Sequence, residues 1–332
     1  MTLTSTKAGN STVTAQVGSS TKTADVSFGA DAATAKVTDL SVVSNNAVAD
    51  GTATNSVKVT VLDGNTKPGE NDGDAEGEQR AVIADSVTTG DDGTATVTLT
   101  STKAGTSTVT VQVGSSTKTA DVSFGADAAT AKVTDLSVVS NNAVADGTAT
   151  NSVKVTVLDG NTNPVKTAVT LKASNGAVIA DSVTTGDDGT ATVTLTSTKS
   201  GTSTVTAQVG SSTKTADVSF GADAATAKVT DLSVVSNNAV ADGTATNSVK
   251  VTVLDGNTNP VKTAVTLKAS NGAVIADSVT TGDDGTATVT LTSTKAGTST
   301  VTVQVGSSTK TADVSFGADA ATAKVTDPER GQ

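Results

Sequence analysis

Along this chain, hydrophobic residues alternate with polar ones in short stretches. From Asn151 to Leu158 the apolar positions are Val153, Val155 and Val157, with Lys154 and Thr156 between them. Residues 190–196 alternate through Ala191, Val193 and Leu195, 204–209 through Val205, Ala207 and Val209, and 215–220 through Ala216, Val218 and Phe220. Val169, Leu171 and Ala173 form another stripe. A period of two sends successive side chains to opposite faces, so each stretch predicts a half-buried strand with Thr on the wet side. Turn signals separate the stripes: Asp146-Gly147, Asp159-Gly160-Asn161, Asn175-Gly176, Asp187-Asp188-Gly189, Lys199-Ser200-Gly201 and Gly210-Ser211-Ser212. Gly supplies the positive φ such turns need, and Asp or Asn bonds its own backbone. Roughly seven strands with a turn every ~8–12 residues predict an all-β sandwich. Nothing reads as a helix.

The pattern recurs every 96 residues: Asp39, Asp135, Asp231 and Asp327 stand at one phase of it. Residues 135–230 and 231–326 differ at only two positions, Ser200 against Ala296 and Ala207 against Val303. A long period filled with short strands means tandem small domains rather than one globular enzyme. The phase divides the chain into 1–38, the last strands of a unit; 39–134; 135–230; 231–326; and a tail, 327–332. The connector 221–227 has no flexible Gly/Ser tract, so the units are expected end to end with restricted bending. Strands of six to eight residues at ~3.3 Å each give roughly 30–40 Å per unit and a rod of about 100 Å.

Composition narrows the chemistry. With no Cys, Trp, Tyr or His, the chain has no disulfide, thiol nucleophile, imidazole base or Cys/His metal site. The core is Val, Leu, Ile and Ala with one Phe per unit, each buried Val or Leu contributing roughly 1.5–3 kcal/mol. The net charge of −11 is uneven: 39–134 carries thirteen acids against six bases, whereas 135–230 carries eight against six. An acidic chain this poor in aromatics lacks the basic, stacking surface that nucleic acid needs. No apolar run reaches membrane-spanning length, and the first residues lack a signal peptide's regions.

Ala145-Asp146-Gly147, the run SVKVTVLDGNTNPV at 152–165 and TTGDDGTATVTLTSTKSGTSTVTAQV at 184–209 resemble the group 1 bacterial Ig-like domain. That resemblance covers the whole repeating part of the chain. It implies a stalk of the kind found in invasin- and intimin-type surface adhesins, the inverse autotransporters. In that family an outer-membrane barrel anchors the array at the cell surface, and a distal domain contacts the host or surface ligand. Neither is found in these residues, so no catalytic, cofactor-binding or metal residue is carried over.

Residues 69–80 depart from the repeat. They read GENDGDAEGEQR where the next unit has VKTAVTLKASNG at 165–176. Asp72, Asp74, Glu76 and Gly77 fit the first half of a calcium loop, but its twelfth position is Ile83 rather than the required Glu. A one-base insertion near Asn-Pro, read on plausible codons, accounts for the altered stretch with Asp72 as the one misfit, and loss of one base restores the frame at Ala81. The tail Asp327-Pro328-Glu329-Arg330-Gly331-Gln332 follows the same rule. Met1 stands where other units have Val97, Val193 and Val289. These features predict a reading-frame fragment of a longer repeat protein. They also predict that 69–80 is an acidic loop leaving a gap in its sheet, because charges and Gly replace Val169 and Leu171.

The functional expectation is a passive spacer whose partners are its neighbouring units. The alternative is a binding module using Thr-rich faces such as Thr192-Val193-Thr194 for a receptor, carbohydrate or surface. An enzyme is not expected, since the chain has no His or Cys and its Asp residues are accounted for by turns, and no cofactor is implied. Calcium at the unit junctions, through Asp223 or Asp231, is compatible with the residue types, though no ligand cluster demands it.

Overall fold

In the computed structural model, which describes residues 1–68, 72–77 and 81–320, the stripes become strands of paired sheets. In the unit of residues 132–221, a four-stranded sheet is ordered Lys132–Ser140, Asn151–Leu158, Thr190–Thr196, Val178–Ile179. The facing five-stranded sheet is ordered Ala143–Val144, Ser212–Gly221, Gly201–Val209, Ala168–Ala173, Ser182–Thr184. Neighbours are antiparallel, except that Ala143–Val144 runs parallel to the end of Ser212–Gly221. The units on either side repeat this order.

The alternation explains the layers. Val153, Val155, Val157, Val193 and Leu195 from one sheet pack with Val169, Leu171, Val205, Ala207, Val218 and Phe220 from the other in a single buried cluster. Of the buried polar residues in this unit, one is wholly enclosed. Asn151 is fully buried, accepting from the Ala143 N–H at 3.0 Å and donating to the Ser219 carbonyl at 2.9 Å. It thereby fixes the point where the chain crosses from one sheet to the other, and its side chain leaves no desolvated amide unmatched. At the tight turn before Thr190, Gly189 has φ +71°, and a Cβ there would lie 2.6 Å from the Val157 carbonyl oxygen. Only glycine fits.

Four expectations are revised. First, each full unit has nine strands rather than about seven, because Ala143–Val144 and Val178–Ile179 are too short to display a period. Second, the connector holds one turn of 3-10 helix, Ala224–Thr226, capped by Asp223, whose carboxylate accepts from the Ala225 N–H. Three residues are too few for any helical pattern to show. Third, the cut at 134/135 falls inside the strand Lys132–Ser140. A period has no intrinsic phase, and hydrogen bonding places the start of the unit three residues earlier.

The fourth concerns the acidic segment. Asp72–Gly77 is a strand, not a loop, and it pairs with Gly105–Val113 and Ser86–Thr88 in the register its sister strand uses. Asp74 opposes Gln112 and Ala75 opposes Val111, just as Thr170 opposes Gln208 and Leu171 opposes Ala207. The altered residues still alternate: Gly73 and Ala75 take the buried positions, and the acidic residues hold the intervening ones. Small residues at the inward positions remove the penalty that a buried charge would impose, so the backbone ladder survives. Residues 69–71, 78–80 and the tail 327–332 lie outside the described residues.

Ahead of the first sandwich, Gly9–Val17 and Ser20–Phe28 form a two-stranded sheet. Val17 there is 83% exposed, whereas Val113 at the same phase of the next unit is buried.

Candidate functional site at the unit junctions

The feature that organises the array lies where one unit meets the next. It is built on the turn 159–163, whose sequence Asp-Gly-Asn-Thr-Asn allows a carboxylate to gather backbone donors. Asp159 is 6% exposed. Its Oδ1 accepts from the N–H groups of Asn161 at 2.9 Å and Asn163 at 2.8 Å. Its Oδ2 accepts from the Asn163 side-chain amide at 2.9 Å and from the Asp127 N–H, in the connector, at 2.9 Å. Burial is the largest single influence on this carboxyl and pushes its pKa up, but the donors together hold it below its ordinary value. Asp255 in the following unit is treated the same way.

The connector is stitched to the same turn. Asp127 caps the 3-10 turn Ala128–Thr130, the Thr130 hydroxyl donates to Asp127 Oδ2 at 2.9 Å, and Thr130 Oγ1 accepts from the Gly160 N–H at 3.0 Å. The turn then reaches back to the preceding unit. Asn161 Nδ2 donates to the Ala49 carbonyl at 2.9 Å. Asn163 Nδ2 donates to the Thr102 carbonyl at 3.0 Å, while Asn163 Oδ1 accepts from the Ala104 N–H at 2.9 Å. The next junction repeats all three bonds with Asn257 on Ala145, and Asn259 on Thr198 and Ser200. These contacts join main chain of one unit to side-chain amides of the next, a two-pronged clamp that restricts both sliding and rotation.

Thr162, between the two asparagines, has φ +66°. A β-branched residue in the left-handed region costs about 1–3 kcal/mol and persists only where its surroundings over-determine it. Here the neighbours on both sides are held, both by the preceding unit and both by Asp159.

The first sandwich differs at one clamp position: Lys67 stands where later units have Asn163 and Asn259. Its turn is nevertheless formed, with the Lys67 N–H donating to Asp63 Oδ1 at 2.9 Å and Asp63 N–H to the Lys67 carbonyl at 3.0 Å. A cleft lined by Lys7, Ala8, Phe28, Thr66, Lys67 and Pro68 opens at this junction. The asparagine is thus dispensable for the turn and specific to the clamp.

Sequence reasoning took Asp159-Gly160-Asn161 for a turn and passed over Asn163. The available signal was its place ahead of Pro164, with Lys67 at the same phase of the altered unit. Of the junction residues considered for calcium, Asp223 is engaged as a helix cap and Asp231 is exposed on the strand Lys228–Ser236. Among the described residues, no group of three or more acidic, His or Cys side chains gathers at one point. Thr192 and Thr194 lie exposed on the outer face of the four-stranded sheet. Asp188 receives the Thr190 hydroxyl and N–H within its turn, which keeps its carboxyl below the ordinary value.

The family described as bacterial Ig-like domain (group 1) matches residues 37–125, 133–221 and 229–317. The inverse autotransporter adhesin YeeJ of Escherichia coli (strain K12) is 33% identical over 261 residues, covering 70% of this chain. The chain spans only 11% of that adhesin's length. Among solved structures, Yersinia pseudotuberculosis InvD superposes with a TM-score of 0.59 at 17% identity, over 87% of this chain and 100% of that one, a likeness of fold. Invasin, described as a bacterial integrin-binding protein, matches at TM-score 0.46 and 24% identity over 84% of this chain and 60% of its own. With three matched units filling most of its length, the chain belongs to the bacterial Ig-like domain (group 1) family, as a tandem array of adhesin-type β-sandwich repeats.

Proposed function

We propose that the array is a stalk segment of a bacterial cell-surface adhesin, a spacer that holds other parts of the protein at a set distance from the outer membrane. The observation that carries this reading is the clamp: Asn161 and Asn163 bond the preceding unit's main chain, and Asn257 and Asn259 do the same one period later. A spacer gains reach, because each restrained junction adds the full length of a unit instead of a random-walk increment. The inverse autotransporter relative supports the same setting.

Small-angle scattering on the whole chain tests it. An extended array of these units has a maximum dimension of about 100 Å, with the cross-section of a single sandwich. A globular profile, or one fitted only by freely jointed units, sinks the spacer reading.

A further inference from the structure

The altered strand Asp72–Gly77 holds its place in the sheet with smaller residues at its inward positions. At the two inward positions, Gly73 and Ala75 stand for Val169 and Leu171, both of which are essentially fully buried. A Cβ built on Gly73 would sit 3.4 Å from Val113 and 3.7 Å from Val111, so a side chain added there would start in apolar contact with both. The apolar floor beneath is intact, with Val109, Val111 and Val122 fully buried.

A second observation points the same way. Ser107 Oγ is buried and, among the described residues, has no hydrogen-bond partner. In the sister units this hydroxyl is satisfied: Ser203 donates to the Ser174 carbonyl at 2.6 Å, and Ser299 to the Ser270 carbonyl at 2.7 Å. Each acceptor is the residue immediately after the strand that carries Val and Leu. At this place the first sandwich has neither the Val nor the Leu, and the described residues offer Ser107 no acceptor; the segment 168–174 carries the two apolar side chains and an acceptor carbonyl in one register.

We propose that this slot, between Gly105–Val113 and Ser86–Thr88, accepts the segment 168–174 of a second copy of the chain, taken while that copy is still unfolded, in place of its own acidic strand. The donor must be unfolded, since a folded donor unit would lose the burial that the acceptor gains. Recognition is by strand addition: the backbone ladder provides affinity, and the apolar pair two residues apart provides choice. The resident strand competes at an effective concentration of millimolar order, so capture at tens of micromolar requires the incoming strand to be favoured by about a hundredfold. Burying a Val and a Leu exceeds that ratio.

The test uses the full chain and a synthetic peptide of residues 167–176, which stands in for the unfolded donor. Pairing Lys172 of the peptide opposite Thr110 follows from the sister register, in which Lys172 opposes Thr206. A Lys172→Cys peptide should form a disulfide with a Thr110→Cys chain. The yield should fall at least tenfold when the slot is filled by Gly73→Val with Ala75→Leu, a variant shown to be folded by a higher melting point of its first sandwich. A peptide carrying Val169→Asp and Leu171→Asp should not be trapped. Trapping that is equal in the filled and native chains, or absent from both, overturns the proposal.

Discussion

Replacing Asn163 by Ala should loosen the first complete junction while leaving both flanking sandwiches folded. The substitution removes two bonds across the junction, Asn163 Nδ2 to the Thr102 carbonyl at 3.0 Å and Ala104 N–H to Asn163 Oδ1 at 2.9 Å. A hydrogen bond of this kind contributes about 0.5–1.5 kcal/mol net, so the docked arrangement should lose about 1–3 kcal/mol. That corresponds to a shift of about 5- to 150-fold in the ratio of docked to undocked junctions. The turn itself should survive, because the first sandwich forms it with Lys67 at this position. The chain has no cysteine, so Lys118→Cys and Lys214→Cys, both at exposed sites, provide a unique pair for spin labels. Pulsed-dipolar measurement should give a narrow distance distribution for the native junction and a broad one for Asn163→Ala, with the melting of unit 132–221 shifted little. A distribution that stays narrow would show that the asparagine does not hold the units, and would leave the remaining Asn161–Ala49 bond and the connector to do so.

Further outcomes follow from the core, the turns and the buried carboxylates. Leu171→Ala should destabilise unit 132–221 by about 2–5 kcal/mol, seen as one of the melting transitions moving down while unit 228–317 is unaffected. Gly189→Ala should prevent that unit from folding cooperatively, since its Cβ would meet the Val157 carbonyl oxygen at 2.6 Å; loss of chemical-shift dispersion confined to this unit reports it. Asp159 and Asp255 have folded-state pKa values below the ordinary 3.8. Their contribution is therefore complete above about pH 4 and lost as pH falls through the folded values, because the unfolded chain takes up the protons first. Melting and junction distances should be constant from neutral pH to about 4 and should both decline below it. Adding a chelator at neutral pH should leave the melting profile unchanged; a drop would assign the junction carboxylates to a bound cation.

The strands of the intact units were legible because each has one wet and one dry face. Val153, Val155 and Val157 alternate with polar neighbours, and burial on a pleated surface has no other solution. The turns were legible for a similar local reason: Gly189 must be glycine wherever the sheet goes. What could not be read was anything decided by a partner distant in the chain. The strand Asp72–Gly77 looked unfit because its apolar residues were gone. Yet Gly73 and Ala75 keep the pleat's parity, and the waiting edges of Gly105–Val113 and Ser86–Thr88 satisfy its backbone. Likewise Asn163 is an unremarkable turn residue until folding brings it to Thr102 and Ala104 of the unit before it.

The amino-acid order alone determined a repeating all-β chain, the size of its module and the faces of its principal strands, because period, propensity and turn chemistry act over a few residues. The tertiary structure decided where each module begins, that the acidic segment remains a strand, and that a side-chain amide ties each complete unit to the one before. Those outcomes depend on hydrogen-bond partners some 30 to 110 positions apart, among them Asn161 with Ala49 and Asp127 with Asp159. Such pairings leave no local pattern, since a donor and an acceptor are chosen by their meeting in space.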